Sequence, residues 1–460
     1  NSQECLDFAA LAFELSERYE VPFFLRMVTR VCHSRSIVEV DPDKAYDRRE
    51  RAYERNISKF VTLPANARKR RIVLEENLAK LSEDAEVSAV NVMEITDKDV
   101  GIITSGASYN YVKEAFGDRY SVLKLGLVYP LDQQIIREFA SKVKKLYVVE
   151  ELDPYLEFHI RAMGVECEGK KFISPFFELN QQTVAASLAK AGLKSGEGLD
   201  PALEEPVPGV PARPPILCAG CPHRAFFYLA RKQKVTVVGD IGCYTLGAAP
   251  PLDGIDVSAC MGGGYSIALG MSINPPEGKK IFGVVGDSTF YHSGITGAID
   301  SIYNKRNIVP VVLDNRITAM TGHQQNPGTG QTLSGEDTFM QEPARIFKAV
   351  GYDRVVEINA YDLQGIKEAI REARDTEERV AIIIKSPCRL LKGVPKEESP
   401  QVDTEACNKC KTCLRLGCPA IFLGGEGYPM IDDLSCAGCG LCEQVCKHDA
   451  IKLKGQEVSE

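Results

Sequence analysis

The chain has 460 residues, 44% of them hydrophobic, and a formal net charge of −8. That length supports several buried cores, the acidic balance without a basic block argues against a nucleic-acid partner, and no apolar run reaches the ~18 residues of a membrane span. Sixteen cysteines, clustered and without an export signal, read as metal or iron–sulfur ligation in a reducing cytoplasm rather than as disulfides.

The chain starts at Asn1, and SQECLDFAALAFELSERY (2–19) reads as an amphipathic helix in the middle of a domain, so more chain is expected upstream. VPFFLRMVT (21–29) reads as a strand, and ARKRRIVLEENLAKL (67–81) as a basic helix within a connector over 61–97. Over 98–190, GIITSG, YNYVKEAFG, SVLKLGL, QQIIREFASKV and KKLYVVEE alternate strand and helix, the pattern of a small parallel α/β domain. Residues 191–215 are rich in Pro, Gly and acidic residues and read as a linker. Residues 216–395 are again α/β, with strands near VTVVGD, KKIFGVVGD, IVPVVLDN and VAIIIKS. A polar break then leads into a cysteine-rich tail, 396–460. The predicted fold class is multidomain α/β with an α+β tail.

The tail holds CNKCKTCLRLGCP, with Cys407, Cys410, Cys413 and Cys418, and CAGCGLCEQVC, with Cys436, Cys439, Cys442 and Cys446. Two-residue spacers wrap a chain around a cubane cluster. The pattern resembles a ferredoxin module with two [4Fe-4S] clusters, in which the fourth cysteine of each run ligates the other cluster. That resemblance implies one cluster on Cys407, Cys410, Cys413 and Cys446, and another on Cys436, Cys439, Cys442 and Cys418. The first run closes with four intervening residues rather than three, and Lys447 stands where proline is usual. Two zinc sites are the other reading of eight cysteines, though zinc knuckles rarely repeat four cysteines in this pattern.

Asp287 lies just past one predicted strand and Asn315, 28 residues on, just past the next. A helix joining adjacent parallel strands brings both strand ends to the carboxyl edge of the sheet, where ligands bind. A carboxylate and an amide oxygen there suit Mg²⁺ bridging a diphosphate. Gly286-Asp287-Ser288 with Asp314-Asn315 resembles the thiamine-diphosphate signature, Gly-Asp-Gly followed by Asn-Asn. The resemblance implies Asp287, Asn315 and the Ile317 carbonyl as Mg²⁺ ligands. Ser288 for the third glycine and Asp314 for the first asparagine depart from the pattern outside the ligand positions. An ordinary turn with polar caps would also leave such residues there. Gly262, Gly263 and Gly264 open an apolar helix, where bare N–H groups favour an anion, although close helix packing also asks for glycine. GDIGCYTLG (239–247) adds Gly242 in a second glycine-rich loop after a strand.

CAGCPHR (218–224), GDIGCYTLG, the Gly-Asp…Asp-Asn pair and the two-cluster tail, in that order, resemble the large subunits of the indolepyruvate-specific branch of the 2-oxoacid:ferredoxin oxidoreductases. The resemblance covers essentially the whole chain. It implies a pyrimidine-binding domain ending within 1–60, a transketolase C-terminal-like domain at 98–190 and a thiamine-diphosphate-binding domain at 216–395. The implied activity is thiamine-dependent oxidative decarboxylation of an aryl 2-oxoacid with CoA and ferredoxin, in a cytoplasmic hetero-oligomer with a smaller subunit. The family's activating glutamate is expected upstream of Asn1. In related enzymes four cysteines in similar contexts hold a cluster close to the thiamine, which implies a third cluster on Cys218, Cys221, Cys243 and Cys388; buried free thiols are the other reading. Cys260 is expected to pack as a small hydrophobe. His223, His292 and His323 are candidate hydrogen-bond or proton donors to substrate, each as readily a structural residue. Tyr244 reads as either core or pocket wall. Other members of the 2-oxoacid family, a non-redox thiamine lyase and a plain electron carrier remain alternatives, and the cysteines oppose the lyase.

Overall fold

A computed structural model describes residues 1–41, 53–196, 214–276 and 279–453. The chain forms two compact bodies, Asn1–Val210 and Pro211–Glu460. Most of the predicted linker, residues 197–213, lies outside the described residues. No described helix is long and apolar enough to cross a membrane.

In the first body, helix α1 (Ser2–Tyr19) is closed at its start by a capping box between Asn1 and Glu4. Helix α2 (Pro64–Ser82) starts with proline, which gives up only a donor the first turn cannot use. Leu15 of α1 and Leu81 of α2 share a core with Val21 and Val87, which follow the two helices. The strand predicted at 21–29 does not form: residues 21–28 have no regular structure, and a short helical turn follows at Thr29–Cys32. A strand needs a partner for its backbone groups; no described strand pairs with this run, and its Phe24 is 89% exposed.

Beyond α2 lies a four-stranded sheet in the order β1-β3-β2-β4. Strands β2 (Val100–Ser105), β3 (Ser121–Leu125) and β4 (Lys145–Val149) run parallel. The edge strand β1 (Val92–Glu94) is antiparallel and falls within the stretch expected as a connector, 61–97. Helices α3 (Ala107–Phe116), α4 (Gln133–Ser141), α5 (Tyr155–Ala162) and α6 (Gln181–Ala189) accompany the sheet.

The second body is built on a five-stranded, all-parallel sheet in the order β5-β6-β7-β9-β8. In chain order its elements are α7 (Arg224–Gln233), β5 (Thr236–Val238), α8 (Gly263–Met271), β6 (Ile281–Gly286), α9 (Ile295–Tyr303), β7 (Val309–Asp314), α10 (Pro343–Val350), β8 (Arg354–Asn359), α11 (Leu363–Asp375) and β9 (Val380–Lys385). Every residue of β6 and β7 is buried, as expected of parallel strands covered on both faces. The tail adds a two-stranded pair, β10 (Gln401–Val402) with β13 (Ile451–Lys452), and a hairpin, β11 (Ile421–Leu423) with β12 (Pro429–Ile431), together with a short helix α12 (Leu441–Val445). Leu416, Leu441, Val445 and Ile451 of the tail share one core with Phe226, Phe227 and Leu229 of α7. The tail is therefore packed into this body.

Candidate functional site

Four neighbouring parallel strands end at one edge of the second sheet, and each delivers a candidate group there. After β5 come Asp240, Gly242 and Cys243; after β6, Asp287; after β7, Asn315; after β9, Cys388. The register pairs Gly286 with Leu313, so Asp287 and the Asp314-Asn315 pair leave the sheet side by side. Asp287, Asn315 and Ile317 are all buried. The Asn315 amide points one end at Asp287 Oδ1, 3.2 Å away, and at the Ile317 carbonyl, 2.6 Å away. With NH₂ turned inward it would donate to both. With its oxygen turned inward it accepts from Ile317 N–H at 3.4 Å, and three oxygens converge. That is a donor set a hard divalent cation prefers. Burial, reinforced by the nearby Asp314 carboxylate, pushes Asp287 up to about 7, a direction that a cation on these oxygens would reverse. The residues present thus fit Mg²⁺.

Sequence reasoning missed two residues here. Asn326 donates from Nδ2 to Asp287 Oδ2 at 3.0 Å, aiming that carboxylate; its Asn-Pro-Gly context signals only a turn. Asp240 is fully buried and accepts from Gly262 N–H at 2.7 Å and from Tyr244 Oη at 2.8 Å. It ties the two glycine-rich loops to each other. Tyr244 packs under them, 5% exposed, and is a core residue, not a pocket wall. Gly262 adopts a left-handed φ of 87°, and a Cβ there would stand 2.7 Å from Ser293 Cβ. At Gly264 a Cβ would come within 2.3 Å of the Val284 carbonyl, so glycine lets α8 lie on the backbone of β6. Close packing thus accounts for Gly264, while Gly262 and Gly263 present the start of α8 at the edge. Ser288, half-buried, lies in the first turn of a helix that opens at Asp287 and runs through a π-helical stretch, Phe290–Gly294, into α9.

The tail cysteines gather in two sets. One cavity is lined by Cys407, Cys410, Cys413 and Cys446, the other by Cys418, Cys436, Cys439 and Cys442. The fourth cysteine of each run lines the other run's cavity. His448, which has no notable context in sequence, lines the first cavity and meets Asn408 at 2.9 Å. Cys218, Cys221, Cys243 and Cys388 form a third group: each of Cys221, Cys243 and Cys388 is held above the ordinary thiol range chiefly by burial, with other thiols of the group adding to it. For Cys221 burial reaches about 12, so ligation as thiolate calls on the charge of bound iron. Among the described residues no three His, Cys, Asp or Glu side chains converge on a single metal ion; a cubane, whose thiolates take different irons, asks for no such convergence. Cys260 does not pack as a small hydrophobe, because it is exposed just ahead of α8.

The third group touches the tail. A Cβ on Gly220 would lie 2.6 Å from Ala437 Cβ, which places the 218–221 loop against the 436–439 loop. Buried Arg224 donates to the carbonyls of Leu217 and Cys218 at 2.7 and 2.8 Å and to Leu416 of the first cysteine run at 2.7 Å. Tyr361 donates to the Gly220 carbonyl at 2.8 Å. The three candidate histidines diverge. His223 is buried with Nδ1 3.6 Å from Cys221 Sγ, His323 places Nε2 4.0 Å from Cys388 Sγ, and His292 is exposed and meets Ser293 Oγ at 2.6 Å.

Residues 240–384 match the family model of the thiamine pyrophosphate enzyme C-terminal TPP binding domain, and residues 429–452 match the 4Fe-4S binding domain. The chain is similar to indolepyruvate oxidoreductase subunit IorA of Archaeoglobus fulgidus, at 37% identity over 98% of this chain and 75% of the relative. The IorA subunits of Methanothermobacter marburgensis (36%, 99% and 76%) and Pyrococcus horikoshii (35%, 98% and 76%) are similar to the same extent. This chain belongs to the IorA family. Among solved structures, a 2-oxoglutarate:ferredoxin oxidoreductase from Magnetococcus marinus aligns over 40% of this chain and 67% of its own at 21% identity and a TM-score of 0.34, an overlap too partial to carry an argument. The thiamine-binding match of this IorA-family chain spans Asp240, Gly242, the 262–264 glycines, Asp287, Asn315 and Ile317. The iron–sulfur match spans Cys436, Cys439, Cys442 and Cys446, and the first cysteine run lies outside it.

Proposed function

We propose that this chain is the thiamine- and cluster-bearing subunit of an enzyme that converts an aryl 2-oxoacid, indolepyruvate foremost, and CoA to the acyl-CoA and CO₂, passing two electrons to ferredoxin. One observation carries the reading: the thiamine-type sheet edge and a cysteine group that abuts a ferredoxin-type tail occur in one body. Thiamine diphosphate supplies, when bound, the nucleophilic carbon and the electron sink that decarboxylation of a 2-oxoacid needs. Asp287, Asn315 and the Ile317 carbonyl would hold Mg²⁺, and the N–H groups at the start of α8 would face the diphosphate. Gly242 and Gly286 make room for the Tyr244 ring, which a Cβ at either position would meet at 2.6 and 2.5 Å. The three cysteine groups would hold one-electron centres, which an oxidative decarboxylation needs and a non-redox lyase does not. A plain electron carrier would have no use for the oxygen cluster at the sheet edge. The relatives are named as subunits, which supports a hetero-oligomer with a smaller subunit.

The test is anaerobic ferredoxin reduction by the chain with its partner subunit, with CoA, comparing indolepyruvate and phenylpyruvate with pyruvate and 2-oxoglutarate. Preference for the aryl acids is expected. Preference for pyruvate or 2-oxoglutarate would discard the aryl specificity, and no reduction with any acid in protein holding thiamine and iron would discard the reaction.

A further inference from the structure

His223 stands at the inner cysteine group in a position that suits one task. Its side chain is 3% exposed, and its ring is held edge-on against Tyr244 with centroids 5.6 Å apart. Nδ1 faces Cys221 Sγ at 3.6 Å, within reach of a hydrogen bond to sulfur. Nε2 is buried and finds no partner among the described residues. This environment decides the tautomer. A proton on Nε2 would bury an unused donor and aim the Nδ1 lone pair at the thiolate. A proton on Nδ1 puts the donor to use and leaves only an acceptor unpaired, the less costly orphan. A second imidazole repeats the arrangement across the group, with His323 Nε2 4.0 Å from Cys388 Sγ. The tail thiols with such contacts meet no imidazole: Cys410 meets the Thr412 hydroxyl and Cys436 accepts from Gly438 N–H, both at 3.4 Å.

We propose that His223 is a positioning residue of the inner iron–sulfur centre, donating Nδ1–H to the Cys221 thiolate and raising the reduction potential of that centre, rather than a proton donor to substrate. Hydrogen bonds to cluster sulfurs favour the reduced, more negative state. The inner centre is thereby set to accept electrons from the thiamine edge. The inference rests on reading Cys218, Cys221, Cys243 and Cys388 as a third centre.

The experiment is an EPR-monitored redox titration of the iron-loaded full chain, for the natural protein and for His223→Leu and His223→Asn. Asparagine can place an amide N–H where Nδ1 stood. The expected result is a shift of one centre to more negative potential in His223→Leu, recovery of most of that shift in His223→Asn, and the two tail centres unmoved in both. The KM for 2-oxoacid should stay unchanged. Should His223→Leu not retain the inner centre, His223→Gln, whose amide stands in for Nε2 and not for Nδ1, takes its place with the same expectation. An unshifted inner centre in a loaded variant, or an asparagine variant that behaves as leucine, overturns the proposal. A natural protein with only two centres and about eight irons overturns the third-centre reading itself, a result distinguishable from an unshifted potential.

Discussion

Asp287 and Asn326 form a pair in which one residue offers oxygen and the other aims it. Removing the first should abolish the Mg²⁺-dependent binding of thiamine diphosphate, with iron content retained, because the cysteine groups do not use that carboxylate. Calorimetric titration of Asp287→Ala checks this, and unchanged affinity would remove the metal from this edge. Asn326→Ala keeps every proposed ligand but frees the Asp287 carboxylate to turn. Loss of such an outer partner typically weakens metal affinity about 10–100-fold, and the Mg²⁺ dependence of thiamine diphosphate binding should move by that factor. The two residues were unequally legible. Asp287 stands in a strand-end motif with a fixed distance to Asn315, so chemistry and spacing point the same way. Asn326 reaches Asp287 across 39 positions through a loop whose path no local pattern encodes. Asp240 is equally hidden, since a buried aspartate that braces two loops looks in sequence like any strand-end cap.

At the scale of elements, legibility follows how much each element depends on its neighbours. The strands β6 and β7, buried throughout, and β9, buried up to Lys385, announce themselves as apolar runs, while β8, whose RVVEIN mixes polar and apolar residues and lies at the sheet edge, does not. The run at 21–29 is as apolar as a strand but has no described strand to pair with, so it stays irregular. Helix α8 shows the same dependence in its glycines. Gly264→Ala would drive a methyl into the Val284 carbonyl of β6, whereas a methyl at Gly270 in the same helix meets nothing within 4 Å. Overpacking of this kind costs about 1–3 kcal/mol, and exposed Gly→Ala in a helix returns up to about 1 kcal/mol. Denaturant midpoints of the two variants should therefore move in opposite directions. Thiamine diphosphate binding should weaken only in Gly264→Ala, because only that change lifts the start of α8 from the edge.

For the whole second body, the two tail cysteine sets are not equivalent. The loop 436–439 carries Ala437 and Gly438 between its cysteines and lies against the 218–221 loop. The loop around the first cavity carries Asn408, Lys409, Lys411 and Thr412, with Lys447 beside Cys446, and all three lysines are exposed. Exposed acids stand nearby as well, Glu405 and Asp449, but none lies between the ligand positions of that loop. Uncharged small residues suit a packed junction, and exposed ammonium groups suit a transient, acidic, soluble carrier; that of Lys409 sits over the Tyr428 ring and donates to the Glu426 carbonyl. Electrons entering at the thiamine edge should then leave by the Cys407-Cys410-Cys413-Cys446 centre. Charge reversal at Lys409, Lys411 or Lys447 should raise the KM for ferredoxin several-fold each, with the effect fading as salt rises past the range where the Debye length is about 10 Å. Reduction of a small viologen dye, which needs no docked protein, should not fall. If reversal at all three positions left ferredoxin turnover and its salt dependence unchanged, the exit would have to lie at another face of this body.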